Sequence, residues 1–328
     1  MARKRIVCIG GGTGQAQLLR GLSRHGVDVT AIVGVTDNGG HSGVLRRIFG
    51  VPQMGDIRNC LASLADDKHL LTQLLKYRFS EGELDGASLG NLIVCGLMRM
   101  RGSLSASIDA LRRELGIRHR IVPVSDHSAQ VCAELADGRV VRGEWEIMMR
   151  KPRQPIVRLF LDPEVPCLPA CVEAIEYADA IVFCAGSLLT GIVSVLLTQG
   201  IRTAIRVAPA MKVQVCNIMT QPGQTDRFAA SDHLEILSRH LGVTPDVFLV
   251  NTTRPPAALV KLYREDGSTF VKPDVRSMRG LRVIARNFVE PGGKDVLTLY
   301  ARSGRALLAG KHFIRHDPEK LARVIAGL

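Results

Sequence analysis

Hydrophobic positions along the chain switch between two periods, and the switches mark its elements. Residues 6–9 form a short β-branched run that stops at Gly10-Gly11-Gly12-Thr13-Gly14, and Leu18, Leu19 and Leu22 then recur at helical spacing. Strand, glycine turn and helix are the opening of a βαβ unit. Residues 27–35 supply a second strand, which runs into the polar glycine loop Asp37-Asn38-Gly39-Gly40-His41-Ser42-Gly43. Over 56–116 the spacing is helical, carried by Ile57/Leu61/Leu64, Leu70/Leu74/Leu75, Leu92/Leu97 and Ile108/Leu111/Leu115. That stretch predicts an all-helical insertion between strands of one sheet.

Over 120–162 the pattern changes. Residues 121–124, 131–135, 140–145 and 156–161 read as strands, with Asp137-Gly138 as a hairpin turn, which predicts a small antiparallel β excursion. Alternation then returns: a helix around Val172 and Ile175, a strand at 181–184, a helix at 192–197, strands at 201–207 and 213–218, a helix at 232–241 and a strand at 247–250. A mixed segment, 282–328, ends in a helix after Asp317-Pro318. With no repeat and no low-complexity linker, residues 1–328 read as a single α/β domain. The architecture predicted is a doubly wound, Rossmann-like, mainly parallel sheet. Residues 180–201 carry no charge, but Gly186-Ser187, Thr190-Gly191 and Gln199-Gly200 punctuate them. A buried strand, a loop and a buried helix fit that run better than a membrane span.

Composition narrows the function. At 46% hydrophobic and 23% charged, the chain is globular rather than disordered. Aromatics are 4%, too few for stacking platforms that hold single-stranded nucleic acid. The net charge is +12, yet it is spread: 17 Lys/Arg against 10 Asp/Glu over 1–120, 6 against 10 over 121–180, and 15 against 8 over 241–328. A dispersed excess fits a small anionic ligand or a solvated surface, and no nucleic-acid partner is expected. None of the eight Cys forms a C-x-x-C pair, no secretory signal precedes Gly10, and Cys8, Cys95 and Cys184 sit in apolar runs. These features read as a cytoplasmic protein with reduced thiols.

Candidate chemistry lies in the loops. Gly11, Gly12, Thr13 and Gly14 stand between a strand and a helix, where backbone N–H groups and the helix dipole favour a phosphate. The loop is neither a Walker A motif nor a full dinucleotide fingerprint, because Gln15 and Gln17 occupy the third-glycine region. The segment Gly186-Ser187-Leu188-Leu189-Thr190-Gly191 is placed alike, so both loops open at the C-terminal edge of the sheet and can face one crevice. The alternatives are a ligand-free tight turn and a simple Ser187 cap. Asp37 and Asp56 are the best acidic pair for Mg²⁺, although Asp56 reads equally as a helix N-cap. Arg58 suits a phosphate or a nearby carboxylate. Ser88 and Asn91 read first as capping residues and second as ligand contacts, with Asn59 beside Arg58. Asn217 ends a strand before the polar turn Thr220-Gln221-Pro222-Gly223. Ser231-Asp232-His233 reads as an N-cap, with a catalytic Asp–His pair as the sharper alternative, and His312 and His316 read as surface residues.

In combination these motifs resemble a known family. Residues 9–14, 35–43, Gly55-Asp56-Ile57-Arg58-Asn59, Ser88-Leu89-Gly90-Asn91-Leu92, Gly186-Ser187-Leu188, and 217–223 through 231–233 follow in order the signatures of the CofD-like superfamily. The closer branch is the gluconeogenesis-factor, or YvcK, family. The resemblance covers about residues 4–252 and, more weakly, the Arg315-His316-Asp317-Pro318 tail. It implies a Rossmann-like core with a helical insertion. It also implies a cytoplasmic, non-catalytic regulator that links carbon metabolism to cell-wall synthesis and cell shape. The ligand implied is a UDP-sugar such as UDP-N-acetylglucosamine, or a dinucleotide such as NAD(P). The phosphates would rest on Gly11–Gly14, Gly186, Ser187 and Leu188, with Asn217 and Asp232 on base, ribose or sugar. The CofD branch implies instead a Mg²⁺-dependent transferase that moves a phospholactyl group from a nucleotide diphosphate to a deazaflavin. Asn38 stands where the family usually has a second Asp, and Leu189 where it usually has Tyr. The apolar faces of the insertion suit either internal packing or a homodimer.

Overall fold

The computed structural model describes residues 2–275, 280–290 and 313–328. Seven parallel strands form the main sheet: β1 (Arg5–Gly10), β2 (Asp28–Val33), β3 (Arg120–Pro123), β7 (Ala180–Phe183), β8 (Met211–Val215), β9 (Val247–Asn251) and β10 (Arg282–Arg286). Their order across the sheet is β10-β9-β8-β7-β1-β2-β3. Residues 6–9 of β1 and all of β7 and β9 are buried, as strands covered by helices on both faces must be. Chain order reverses between β1 and β7, so β1 leads to β2 on one side and the later strands build out on the other. The C-terminal ends of β1 and β7 therefore diverge around a crevice, the place where open α/β sheets bind ligands.

Helix α1 (Gly12–Leu22) follows β1 directly and packs between α3 (Gly55–Leu64) and the C-terminal helix Pro318–Ala326. Gly21 lies against the Pro318 carbonyl and the Ala322 methyl, a contact that leaves no room for a side chain. The predicted helical stretch contains α3, α4 (Leu70–Lys76), α5 (Leu89–Arg101) and α6 (Leu104–Glu114). An unpredicted helix, α2 (Gly40–Phe49), grows out of the second glycine loop. Its glycine-rich first turn hides the Leu45/Ile48 spacing that continues it.

Four predicted elements change. The strand expected at 121–124 is β3, and it joins the main sheet beside β2 rather than the antiparallel excursion. That smaller sheet consists of β4 (Gln130–Leu135), β5 (Val140–Arg142) and β6 (Ile156–Asp162), in the order β5-β4-β6. The strand expected at 140–145 stops at Arg142, because Gly143 takes φ +102° and starts α7 (Glu144–Met149). Residues 201–207, expected as a strand, are a helix that buries Ile201, Ala204 and Ile205 at helical spacing. The helix expected at 192–197 is a π-helical turn, Leu188–Val193, running into Ser194–Leu197. Among the described residues no helix is long and apolar enough to cross a membrane. Of the mixed segment, 291–312 lie outside the described residues, including His312.

Candidate functional site

The crevice between β1 and β7 opens into a cavity of about 600 Å³. Its floor is made by the two glycine loops, which meet backbone to backbone. A methyl group on Gly14 would overlap the Ala185 carbonyl, and Gly186 lies against the Gly11 carbonyl. Asn217, at the end of β8, locks this junction. Its amide donates to the Gly186 carbonyl at 2.7 Å, and its carbonyl accepts the Gly186 N–H at 3.2 Å. Ser187 Oγ accepts from Gln221 Nε2 at 3.3 Å, which ties the second loop to the polar turn after β8.

Three carboxylates stand on one side. Asp56 sits in the first turn of α3 and not at its N-cap, so the capping expectation does not hold. Its carboxylate lies against Gly11 and accepts the Gly12 N–H, placing a protein anion at the N-terminus of α1. Asp37 accepts the Gly39 N–H at 2.8 Å. The third, Glu144, was not predicted. It starts α7, reaches in from the antiparallel excursion and bonds with Thr190 and Ser187. Burial, reinforced by the charge of Asp37, pushes Asp56 up to about 7. Burial followed by the charges of Asp37 and Asp56 pushes Glu144 up to about 8. Burial also raises Asp37, against the pull of the Gly39 N–H and Arg46. Burial disfavours ionisation of all three, and neighbouring carboxylates add to it for Asp56 and Glu144.

Asn38 explains how Glu144 arrives. Its amide donates to Glu146 Oε2 at 2.7 Å and its carbonyl accepts the Trp145 N–H at 3.0 Å, pinning the first turn of α7. A further part of the wall comes from helix α12 (Ala257–Glu265) and the segment 313–321, which give it apolar Leu262, Phe313, Ile314 and Leu321 alongside polar Tyr263, Glu265, Arg315 and His316. The Tyr263 hydroxyl accepts the N–H groups of Phe313 and Ile314 at 2.8 and 3.1 Å, which holds that segment in place. His316 lines the cavity rather than the surface expected of it. Burial lowers it to about 4, so it is neutral at physiological pH.

Of the predicted site residues, Gly11, Gly12, Thr13, Gly14, Asp37, Asp56, Asn59, Gly186, Ser187 and Asn217 line this cavity. Five lie outside it. Leu188 packs in the core, as does Leu189. Asp232 caps its own helix by accepting the Ala229 N–H at 2.7 Å. It makes no pair with His233, whose Nδ1 lies 2.8 Å from the Ala229 carbonyl. Arg58 donates to the Leu75 carbonyl and to Asn59 Oδ1. Ser88 caps α5, and Asn91 donates to Ser42 Oγ at 3.1 Å. Glu144, Tyr263, Arg315 and His316 were missed as site residues. The Gly143 break and the Arg315-His316-Asp317-Pro318 tail were the available signals.

The lining holds Asp37, Asp56, Glu144, Glu265 and Asp266 against Arg315, its single side chain cationic at neutral pH among the described residues. No three His, Cys, Asp or Glu side chains among the described residues are arranged around one metal position.

Known proteins share this arrangement of chain. The family model for 2-phospho-L-lactate transferase CofD matches residues 6–289. A putative gluconeogenesis factor of Thermotoga maritima is 41% identical over 326 residues, 98% of each chain. A gluconeogenesis factor of Bacillus subtilis is 38% identical over 331 residues, 99% of this chain and 98% of that one. A crystal structure of a Bacillus halodurans member of the upf0052 family superposes with TM-score 0.89 at 36% identity, covering 99% of both chains. With its parallel sheet, its paired glycine loops and relatives matched end to end, the chain belongs to the CofD family and, within it, to the gluconeogenesis factors.

Proposed function

We propose that the chain is a regulatory protein that binds a nucleotide sugar, with a UDP-sugar as the first choice and a dinucleotide such as NAD(P) as the second. The observation that carries this reading is the cavity's two-part wall at the strand crossover. Backbone-rich glycine loops suit a diphosphate, and the apolar side chains Leu262, Phe313, Ile314 and Leu321 in the same cavity suit a base or sugar ring. A volume of about 600 Å³ falls in the range of small-ligand sites. The role suggested by the relatives' names is control of carbon metabolism, and we extend it to cell-wall synthesis and cell shape. Eight free thiols fit a reducing compartment, the cytoplasm.

The acid excess makes a demand on this reading. A diphosphate placed beside Asp37, Asp56 and Glu144 either keeps these raised carboxyl groups protonated or draws a cation between them, which favours their ionised form. Oxygen donors of this kind suit Mg²⁺, which is held by one or two carboxylates, with phosphate oxygens and water completing its shell. Asp37 and Asp56 are the residues we propose to hold it; bound there, it would neutralise the diphosphate. The same three carboxylates favour a second reading, a Mg²⁺-dependent transfer of a phospholactyl group from a nucleotide diphosphate to a deazaflavin.

Isothermal titration with UDP-N-acetylglucosamine, UDP-glucose, NADP and GDP, each in Mg²⁺ or in EDTA, separates these readings. Saturable UDP-sugar or NADP binding, strengthened by Mg²⁺, is expected. Metal-dependent GDP binding, together with transfer of the phospholactyl group from a phospholactyl-guanosine diphosphate donor to a deazaflavin with release of GMP, would replace the regulator with the transferase. No saturable binding of any of the four would end both.

A further inference from the structure

A second concavity of about 360 Å³ shares helix α12 with the cavity and is lined by Arg254, Val260, Arg264, Thr269, Phe270, Lys272 and Pro273. Three of these seven side chains are cations and none is an acid. None of the three cations takes part in the ion pairs found among the described residues, which engage arginines such as Arg5, Arg112, Arg142, Arg153 and Arg239. Of the acids near them in sequence, Glu265 and Asp266 line the main cavity, and Asp274 feels the charge of Lys272 but is taken by Ser231, whose N–H and hydroxyl donate to it at 3.0 and 2.6 Å. Three cations with no acid in the same described lining repel one another, an arrangement relieved by a bound anion.

The walls of the groove are fixed by main-chain bonds. The Thr220 N–H donates to the Thr269 carbonyl at 2.7 Å, and the Val271 N–H to the Ile218 carbonyl at 3.0 Å. Thr269 N–H also donates to Thr220 Oγ1 at 2.8 Å. Helix α12 forms the other side: it gives Val260 and Arg264 to this groove and Leu262, Tyr263 and Glu265 to the cavity. Val260 and Phe270 pack in a small apolar cluster with Ile218, Met219 and Leu259, so the floor is firm and apolar while its rim is basic.

We propose that this groove is a binding site for a small phosphorylated molecule, its phosphate or diphosphate on Arg254, Arg264 and Lys272 and its uncharged part against Phe270 and Pro273. Guanidinium forks match phosphate oxygens in pairs, and lysine adds a point charge. The size of the groove selects a metabolite-sized ligand; it is too short for a backbone-tracking nucleic-acid channel. The site is separate from the nucleotide-sugar reading of the main cavity and does not depend on it.

The test is titration of the full chain with inorganic pyrophosphate in EDTA, where the acidic cavity has no cation to admit the probe. One-to-one saturable binding that weakens with ionic strength is expected, and it should fall about tenfold or more in Arg264→Gln/Lys272→Gln. Circular dichroism and the melting temperature of the double variant should match wild type, since both side chains are exposed. UDP-sugar binding in Mg²⁺ by the same variant should be unchanged, which separates the groove from the cavity. Absence of saturable pyrophosphate binding, or equal binding by the variant, would overturn the proposal and leave the three cations as an ordinary solvated rim.

Discussion

Replacing Glu144 with Gln should stabilise the protein, by an amount that grows from about pH 5 and is complete above about pH 8. Glu144 is raised from 4.5 to about 8, and Asp56 from 3.8 to about 7. In both cases the folded state binds its proton more tightly than the unfolded chain. Stability from these groups is therefore fully present below about pH 4 and is lost as pH rises through about 7 and 8. At 1.36 kcal/mol per unit, a carboxylate shifted as far as Glu144 costs on the order of 5 kcal/mol once ionised. Part of that cost belongs to its repulsion with Asp37 and Asp56, so the two shifts do not add. Gln keeps the shape and one hydrogen-bonding oxygen toward Ser187 and Thr190 while removing the charge.

Urea unfolding in EDTA, read by circular dichroism between pH 5 and 9, gives the comparison. Wild type and Glu144→Gln should coincide near pH 5, where Glu144 is protonated. At pH 9 the variant should be more stable by roughly 2–4 kcal/mol. Saturating Mg²⁺ should narrow the gap by stabilising wild type more than the variant, through preferential binding to the folded, fully charged site. A wild-type stability that is flat from pH 5 to pH 9, or a variant destabilised equally at every pH, would refute the destabilisation of the ionised carboxylates by burial and mutual repulsion.

Three further substitutions probe the scaffold of the site. Gly14→Ala forces the two glycine loops apart at the Ala185 carbonyl; we expect a loss of about 1–3 kcal/mol in urea unfolding and no measurable UDP-sugar binding by calorimetry. Asn217→Ala removes both bonds to Gly186 and should lower UDP-sugar affinity about tenfold while the chain still folds cooperatively. Tyr263→Phe leaves the N–H groups of Phe313 and Ile314 without their acceptor; we expect about 1–2 kcal/mol of destabilisation and faster hydrogen exchange at those two amides.

The parts of this molecule that the sequence makes legible are those whose pattern and structure share a cause within one segment. The runs at 6–9, 181–184 and 247–250 are buried on both faces, and their apolar continuity says so. The two glycine loops follow strands immediately, so their meeting at one sheet edge needs only the rule that successive parallel strands cross over with one hand. Residues 201–207 mislead because Ile201, Ile205 and Val207 are β-branched, whereas the helix there is decided by tertiary packing of Ile201, Ala204 and Ile205. Propensity gives way to burial in such cases.

The missed site residues share a different cause: each reaches the cavity through contacts between segments far apart in the chain. His316 and Phe313 enter because Tyr263, fifty residues earlier, accepts the main-chain N–H of Phe313. Glu144 enters because Asn38 holds the first turn of α7. Position 38 is the instructive one. Read in sequence, Asn38 is an absent carboxylate beside Asp37. In the fold its amide faces Glu146, where an aspartate would set one carboxylate against another and lose the donor. Asn38 gives up a charge at the second glycine loop, and the turn it pins delivers Glu144 beside Asp37 and Asp56. The third carboxylate of the cluster is thus supplied by the antiparallel excursion, an element that its own sequence offers no reason to associate with a ligand.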